Sequence, residues 1–214
     1  MLFRSRELCD KYGILLISDE VMSGWGRTGK WFAVDNWNVT PDIITTAKGI
    51  TSGYAPLGAV IVSDKIAKFF DDKYLYAGLT YNGHALACAA ALATIEVYEE
   101  EHLIQNAAVL GKYLGECLED IKERHPSVGD VRYIGLFSTI ELVANRETKE
   151  IFAPAVMAEV GKALRQNGIF TFIMANNMGS MVFVVPPLVI TKEQLDEGLA
   201  LVEKALEVAD GKVA

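Results

Sequence analysis

Cysteine is scarce in this 214-residue chain: Cys9, Cys88 and Cys117 are the only three, widely spaced and odd in number, which excludes a disulfide framework. They read as free thiols in a reducing compartment, so a cytoplasmic protein is expected. Histidine is equally sparse. His84, His102 and His125 share no ligand spacing with one another or with the cysteines, and no metal site is expected. Positive charge is in deficit, with 20 Lys and Arg against 28 Asp and Glu and a net charge of −8. No basic stripe or basic-aromatic interleaving occurs, which argues against a nucleic-acid surface. No stretch approaches the ~18 apolar residues of a membrane span, and MLFRSRELCDKYG is too charged for a secretion signal. What is present is 51% hydrophobic and 22% charged residues, enough to bury a core in one large domain or two small ones.

Strands and helices alternate first, and helices then dominate. Residues 2–12 carry apolar side chains at helical spacing and stop at Gly13, a left-handed cap. ILLIS at 14–18 is continuously apolar, as in a strand covered on both faces. DIITTA at 42–47 and LGAVIV at 57–62 repeat that signature, and the glycine-rich stretches SGWGRTGKW and KGITSGYAPLG lie between. A helix at 64–71 and one long helical tract from His84 to about His125 follow. Strand material returns at 131–143, then a helix near 154–167, strands at 169–174 and 181–185, and an amphipathic helix from Thr191. Thr191 with Gln194 has the form of a capping box. The domain division falls in the long helical tract, giving domains 1–103 and 104–214.

Two residues carry chemistry. Open α/β sheets build ligand sites at the carboxyl edge of their strands. Asp19 ends the first apolar run, and Lys48 ends the second. An amine and a carboxylate at such an edge are the groups that operate pyridoxal 5′-phosphate, one forming a Schiff base and the other holding the pyridinium proton. Each residue also has a plainer reading. Lys48 could be a solvated charge. Asp19 could cap a turn, leaving Glu20 as the functional acid. Glu20 and Arg27 read as structural supports, Thr80 as a possible cap of the helix beginning near His84, and His84 as a hydrogen-bonded helix-start residue.

The segments ISDEVMSGWGRTGKWFAVD, PDIITTAKGITSGYAPLGAVIVS and GLTYNGHALACAAALATIEV, in that order, resemble successive motifs of the class III (omega-amino acid) aminotransferases. The similarity continues to VPPLVITKEQLDEGL near the end. It implies fold type I of the pyridoxal-phosphate enzymes: the C-terminal part of the large-domain sheet plus a small C-terminal α/β domain. It implies that Asp19 pairs with the pyridine nitrogen, Val21 packs on the ring, and Lys48 is the Schiff-base lysine and proton shuttle. Thr80 would bind the cofactor phosphate of a neighbouring subunit in a homodimer. The reaction implied moves an amino group from an ω-amino acid or amine to an oxo acid such as pyruvate.

Two departures from that pattern matter. The family's chain is about twice this long, and its glycine-serine phosphate cradle precedes the part matched here, so the sequence reads as a C-terminal fragment holding half a site. Many members acting on carboxylates place an arginine just before the VPP strand, whereas Asn176 stands here; without a bidentate guanidinium, taurine-, β-alanine- and polyamine-type donors all stay open. Alternative readings are an inactive fragment or assembly module that keeps the fold, or another fold-type-I activity such as an aminomutase.

Overall fold

The computed structural model describes residues 2–213, which form two compact units divided between residues 105 and 106. The first unit opens with α1 (Leu2–Tyr12), stopped by Gly13 at φ +66, the left-handed conformation that glycine adopts without steric cost. Strands β1 (Ile17–Asp19), β2 (Ile43–Thr46) and β3 (Ala59–Val62) make a three-stranded sheet in that order. β1 runs parallel to β2, with Asp19 opposite Thr45, and β3 runs antiparallel to β2. Helices α2 (Asp64–Phe69) and α3 (Ala85–Glu100) follow.

The first strand differs from expectation. Only residues 17–19 pair, and Ile14 and Ile17 are 56% and 58% exposed. A parallel strand is apolar on both faces because helices cover it; these side chains are more than half exposed. α1 is nevertheless tied to the sheet. Asp42, just before β2, accepts hydrogen bonds from the Leu16 amide and the Arg6 guanidinium, both at 2.8 Å. Those donors, the Leu16 amide first, hold the Asp42 carboxyl below the usual carboxylate range.

The expected long helical tract is two helices. α3 ends at Glu100, and α4 (Leu103–Arg124) starts after a break at which His102 takes φ +52. In the second unit, strands β4 (Val128–Ile134) and β5 (Phe137–Asn145) form a hairpin where one strand region was expected. β6 (Glu150–Ile151) pairs with the end of β5. Helix α5 (Pro154–Gln166), strands β7 (Ile173–Asn176) and β8 (Gly179–Val184), and helix α6 (Lys192–Asp210) complete the unit. The main sheet is antiparallel throughout, in the order β4-β5-β8-β7. The capping box is present: the Gln194 amide donates to Thr191 Oγ1 at 3.3 Å, and the Thr191 amide donates to Gln194 Oε1 at 3.0 Å.

Leu114, Leu118 and Ile121 of α4, Val160 and Leu164 of α5, Leu206 of α6 and Ile140 and Leu142 of β5 are almost fully buried. Each such leucine or isoleucine contributes about 1.5–3 kcal/mol relative to exposure. α4 approaches the hairpin closely because Gly111 and Gly115 lie on one helix face: a Cβ at Gly111 would fall 2.3 Å from the Cα of Gly135, and one at Gly115 would meet the Tyr133 ring at 2.2 Å. At the far end of the unit, Asp210 accepts from the Ser127 amide at 3.1 Å and its hydroxyl at 2.6 Å, and lies 2.6 Å from His125 Nδ1.

Candidate active site

The parallel pairing of β1 and β2 delivers both carboxyl ends to one edge of the sheet. Asp19 is the last residue of β1, and its exposed side chain accepts the Val21 amide at Oδ1, 3.0 Å away, a local bond that fixes where the carboxylate points. Val21 itself is half-buried. Lys48 does not end the second strand. It lies two residues beyond Thr46, as the first residue of a 3-10 turn over Lys48–Ile50, and its side chain is exposed. Its φ is +48, a left-handed conformation that costs a residue with a Cβ roughly 1–2 kcal/mol. Thr45 is three residues before Lys48 and directly beside Asp19, so the chain reaches Asp19 and Lys48 at the same edge of the sheet.

Alternation along the chain splits the adjacent acids. Asp19 faces out and Glu20 faces in, 1% exposed. A buried carboxylate must be satisfied by donors. Glu20 accepts the Ser23 hydroxyl and the Ala33 amide at Oε2 and the Val34 amide at Oε1, the two amides both at 3.0 Å. Those amides open the 3-10 helix Ala33–Trp37, whose first N–H groups have no partner of their own. Glu20 thereby closes the loop of residues 20–34 on itself.

Within that loop Trp25 is buried, with φ +58. Its indole N–H donates to Thr46 Oγ1 at 2.6 Å, and its ring packs on Gly49, where a Cβ would sit 2.6 Å from the Trp25 Cβ. Tyr98 of α3 stacks against Trp25 at 6.3 Å between ring centroids, and Trp31 meets both edge-on. The Tyr98 hydroxyl donates to the Gly49 carbonyl at 3.0 Å. Burial pushes the Tyr98 phenol above its ordinary pKa, so it stays a proton donor, and burial lowers that of the half-buried Arg27 guanidinium. None of Trp25, Thr46 or Tyr98 was singled out by sequence. The two tryptophans inside SGWGRTGKW, Trp25 and Trp31, were the available signal.

The remaining candidates lie elsewhere. Thr80 is exposed in the turn closed by the Asn82 amide on the Leu79 carbonyl at 3.0 Å, on the loop between α2 and α3 rather than on the sheet edge. It does not cap α3. His84 occupies that position, with its carbonyl accepting the Cys88 amide at 3.0 Å and its side chain making no capping bond. Asn176 ends β7, exposed, with Oδ1 accepting the Met178 amide at 2.8 Å. Among the described residues no cluster of three His, Cys, Asp or Glu could hold a metal, and no helix is long and apolar enough to cross a membrane.

Comparison with known proteins decides the family. The family described as Aminotransferase class-III matches residues 1–206. The chain belongs to the class-III aminotransferases. Among curated class-III relatives, the taurine–pyruvate aminotransferase of Bilophila wadsworthia is 40% identical over 97% of this chain and 47% of its own length. The putrescine–pyruvate aminotransferase of Pseudomonas aeruginosa is 38% identical over 94% of this chain and 44% of its own length. The chain thus spans about half the length of the curated relatives it matches. A solved taurine:2-oxoglutarate aminotransferase from Bifidobacterium kashiwanohense, in complex with PLP and glutamate, superposes over the whole chain and 48% of its own with a TM-score of 0.94 and 44% identity. A transaminase from Virgibacillus superposes with a TM-score of 0.93 at 38% identity, over the whole chain and 49% of its own. The class-III chain here therefore has the fold of the C-terminal part of these fold-type-I enzymes.

Proposed function

We propose that the protein carrying this chain is a pyridoxal 5′-phosphate-dependent transaminase that moves an amino group from an ω-amino acid or amine to an oxo acid such as pyruvate. The observation that carries this reading is that Asp19 ends β1 and Lys48 follows β2 by two residues, both at the carboxyl edge of one parallel strand pair. Taurine–pyruvate and putrescine–pyruvate aminotransferases among the relatives support the substrate class. The donor set fits the cofactor: an exposed primary amine, a carboxylate whose orientation is locally fixed, and the half-buried Val21 beside it as an apolar surface for a ring. When bound, pyridoxal phosphate supplies an aldehyde for the amine and a ring that takes up electrons.

The chain's own residues do the rest. Lys48 presents Nζ as the nucleophile and afterwards takes up and returns a proton at that atom within each half-reaction. Asp19 holds a proton at the ring nitrogen by opposing its charge. Thr80, remote from this edge in sequence and exposed, is assigned to the cofactor phosphate of a neighbouring subunit, with a homodimer as the working assembly. Asn176 provides no guanidinium for a carboxylate, which leaves taurine-, β-alanine- and polyamine-type donors to be compared directly. The three free cysteines accord with a cytoplasmic setting.

Borohydride reduction in the presence of pyridoxal phosphate, followed by peptide mass mapping, tests the reading. The wild-type protein should carry the reduced adduct predominantly on Lys48, Lys48→Ala should keep only the background on surface lysines, and alanine formation from pyruvate should stop in that variant. Alanine formation persisting in Lys48→Ala, or a wild-type adduct found only on other lysines, removes Lys48 from the mechanism.

A further inference from the structure

Lys48 occupies a backbone conformation that its own side chain disfavours, and such residues persist only where their surroundings over-determine them. The surroundings here are unusually specific. Thr46, two residues before Lys48, has its hydroxyl engaged by the buried Trp25 indole at 2.6 Å. Gly49, the next residue, has its Cα covered by the Trp25 side chain and its carbonyl engaged by the Tyr98 hydroxyl at 3.0 Å. Trp25 and Tyr98 also stack on each other, so the two grips form one body. Thr46, Trp25 and Tyr98 are all buried, whereas Lys48 between the grips is exposed.

We propose that Trp25 and Tyr98 are positioning residues for Lys48, clamping the chain on both sides so that the lysine keeps its left-handed turn and its amine faces the Asp19 edge. This deepens the transaminase reading and rests on it. With either grip released, the Ala47–Lys48 backbone can relax toward an ordinary α or β conformation. The Cα–Cβ bond of Lys48 then rotates away from that edge. The clamp acts through backbone geometry and touches no reacting atom, so its loss should show as slower adduct formation at Lys48 in a folded protein.

The probe is pyridoxal phosphate with borohydride trapping on the full chain, quantified by peptide mass mapping as the rate at Lys48 relative to the exposed surface lysines Lys30 and Lys65. Trp25→Phe retains an aromatic ring but has no N–H, and Tyr98→Phe retains its ring but has no hydroxyl. Each should slow Lys48 trapping roughly tenfold or more, since misplacing a reacting group by about 1 Å is costly, while Lys30 and Lys65 are unaffected. Thr46→Val should reproduce the Trp25→Phe loss, the Trp25→Phe/Thr46→Val pair should lose no more than either alone, and Thr46→Ser, which keeps the acceptor, should retain wild-type trapping. Far-UV circular dichroism establishes that each variant is folded, and if Trp25→Phe does not fold, the Thr46 and Tyr98 variants decide. Wild-type trapping rates in folded Tyr98→Phe and Thr46→Val, or equal losses in Thr46→Ser and Thr46→Val, overturn the clamp while leaving the transaminase reading intact. A wild-type chain that takes no adduct at Lys48 overturns both.

Discussion

Glu20 offers the most demanding test of how the site's loop is held. Its carboxylate is 1% exposed and serves two backbone amides, the Ser23 hydroxyl and, at 3.5 Å, the Ser18 hydroxyl. Glu20→Ala removes every one of those acceptors and leaves the Ala33 and Val34 amides facing a cavity. A buried donor left unpaired costs about 1–3 kcal/mol, and bonds to a charged group sit at the upper end of the usual range. Relief of the buried charge's own desolvation offsets part of the loss, so the net destabilisation should be about 3–5 kcal/mol. Glu20→Gln keeps one oxygen but turns an NH2 toward a donor, and should cost nearly as much, about 2–3 kcal/mol. All three tryptophans, Trp25, Trp31 and Trp37, fall in or next to this loop, so intrinsic fluorescence during urea unfolding reads the relevant transition. With a slope near 2 kcal/mol/M, the Glu20→Ala midpoint should drop by about 2 M. A drop below ~0.5 M in a folded variant would show that the carboxylate does not hold the loop, and the assignment of Glu20 as its closure would be wrong.

Asp19→Asn should retain the cofactor adduct at Lys48 yet transfer amino groups about 100- to 1,000-fold more slowly, as expected for loss of a preorganised charge; equal half-reaction rates in stopped-flow would take Asp19 out of the chemistry. The Asp42 carboxyl, held below its ordinary range by the Leu16 amide and then by Arg6, stabilises the first unit fully above its unfolded value near ~3.9 and progressively less as pH falls through its folded value. Thermal midpoints against pH should therefore separate wild type from Asp42→Asn above pH ~5 and converge at the acid end; curves that stay parallel throughout would refute this. Asp210→Ala, which strips the acceptor from Ser127 and the partner from His125, should cost about 2–4 kcal/mol in denaturation followed by far-UV circular dichroism, and a loss below ~0.5 would mark the cluster as incidental.

Elements whose signals are local were legible in the chain itself. The helix beginning after Thr191 has both halves of its capping box in sequence, and α1 ends at the glycine that its left-handed cap requires. The break between α3 and α4 was hidden because no glycine or proline marks it and His102 takes the positive φ instead. β1 was read too long because its apolar run predicts cover on both faces, whereas pairing extends only as far as β2 reaches. At the site, Asp19 and Lys48 stood out as polar residues ending apolar runs. The depth of Glu20 was written only in the period-two alternation of a short strand. The grip of Trp25 and Tyr98 joins residues separated by most of the first unit, and long-range contacts of that kind leave no periodic trace.

The left-handed turn at Lys48 also bears on what a control experiment means. An alanine there deletes the amine but retains the Cβ, and with it the steric conflict that the fold tolerates. A glycine deletes both. The first unit of Lys48→Gly should consequently match or exceed the wild type in stability, as expected where a functional residue sits in a conformation better suited to another amino acid. Comparing the two replacements separates what the side chain contributes to chemistry from what its presence takes from the fold.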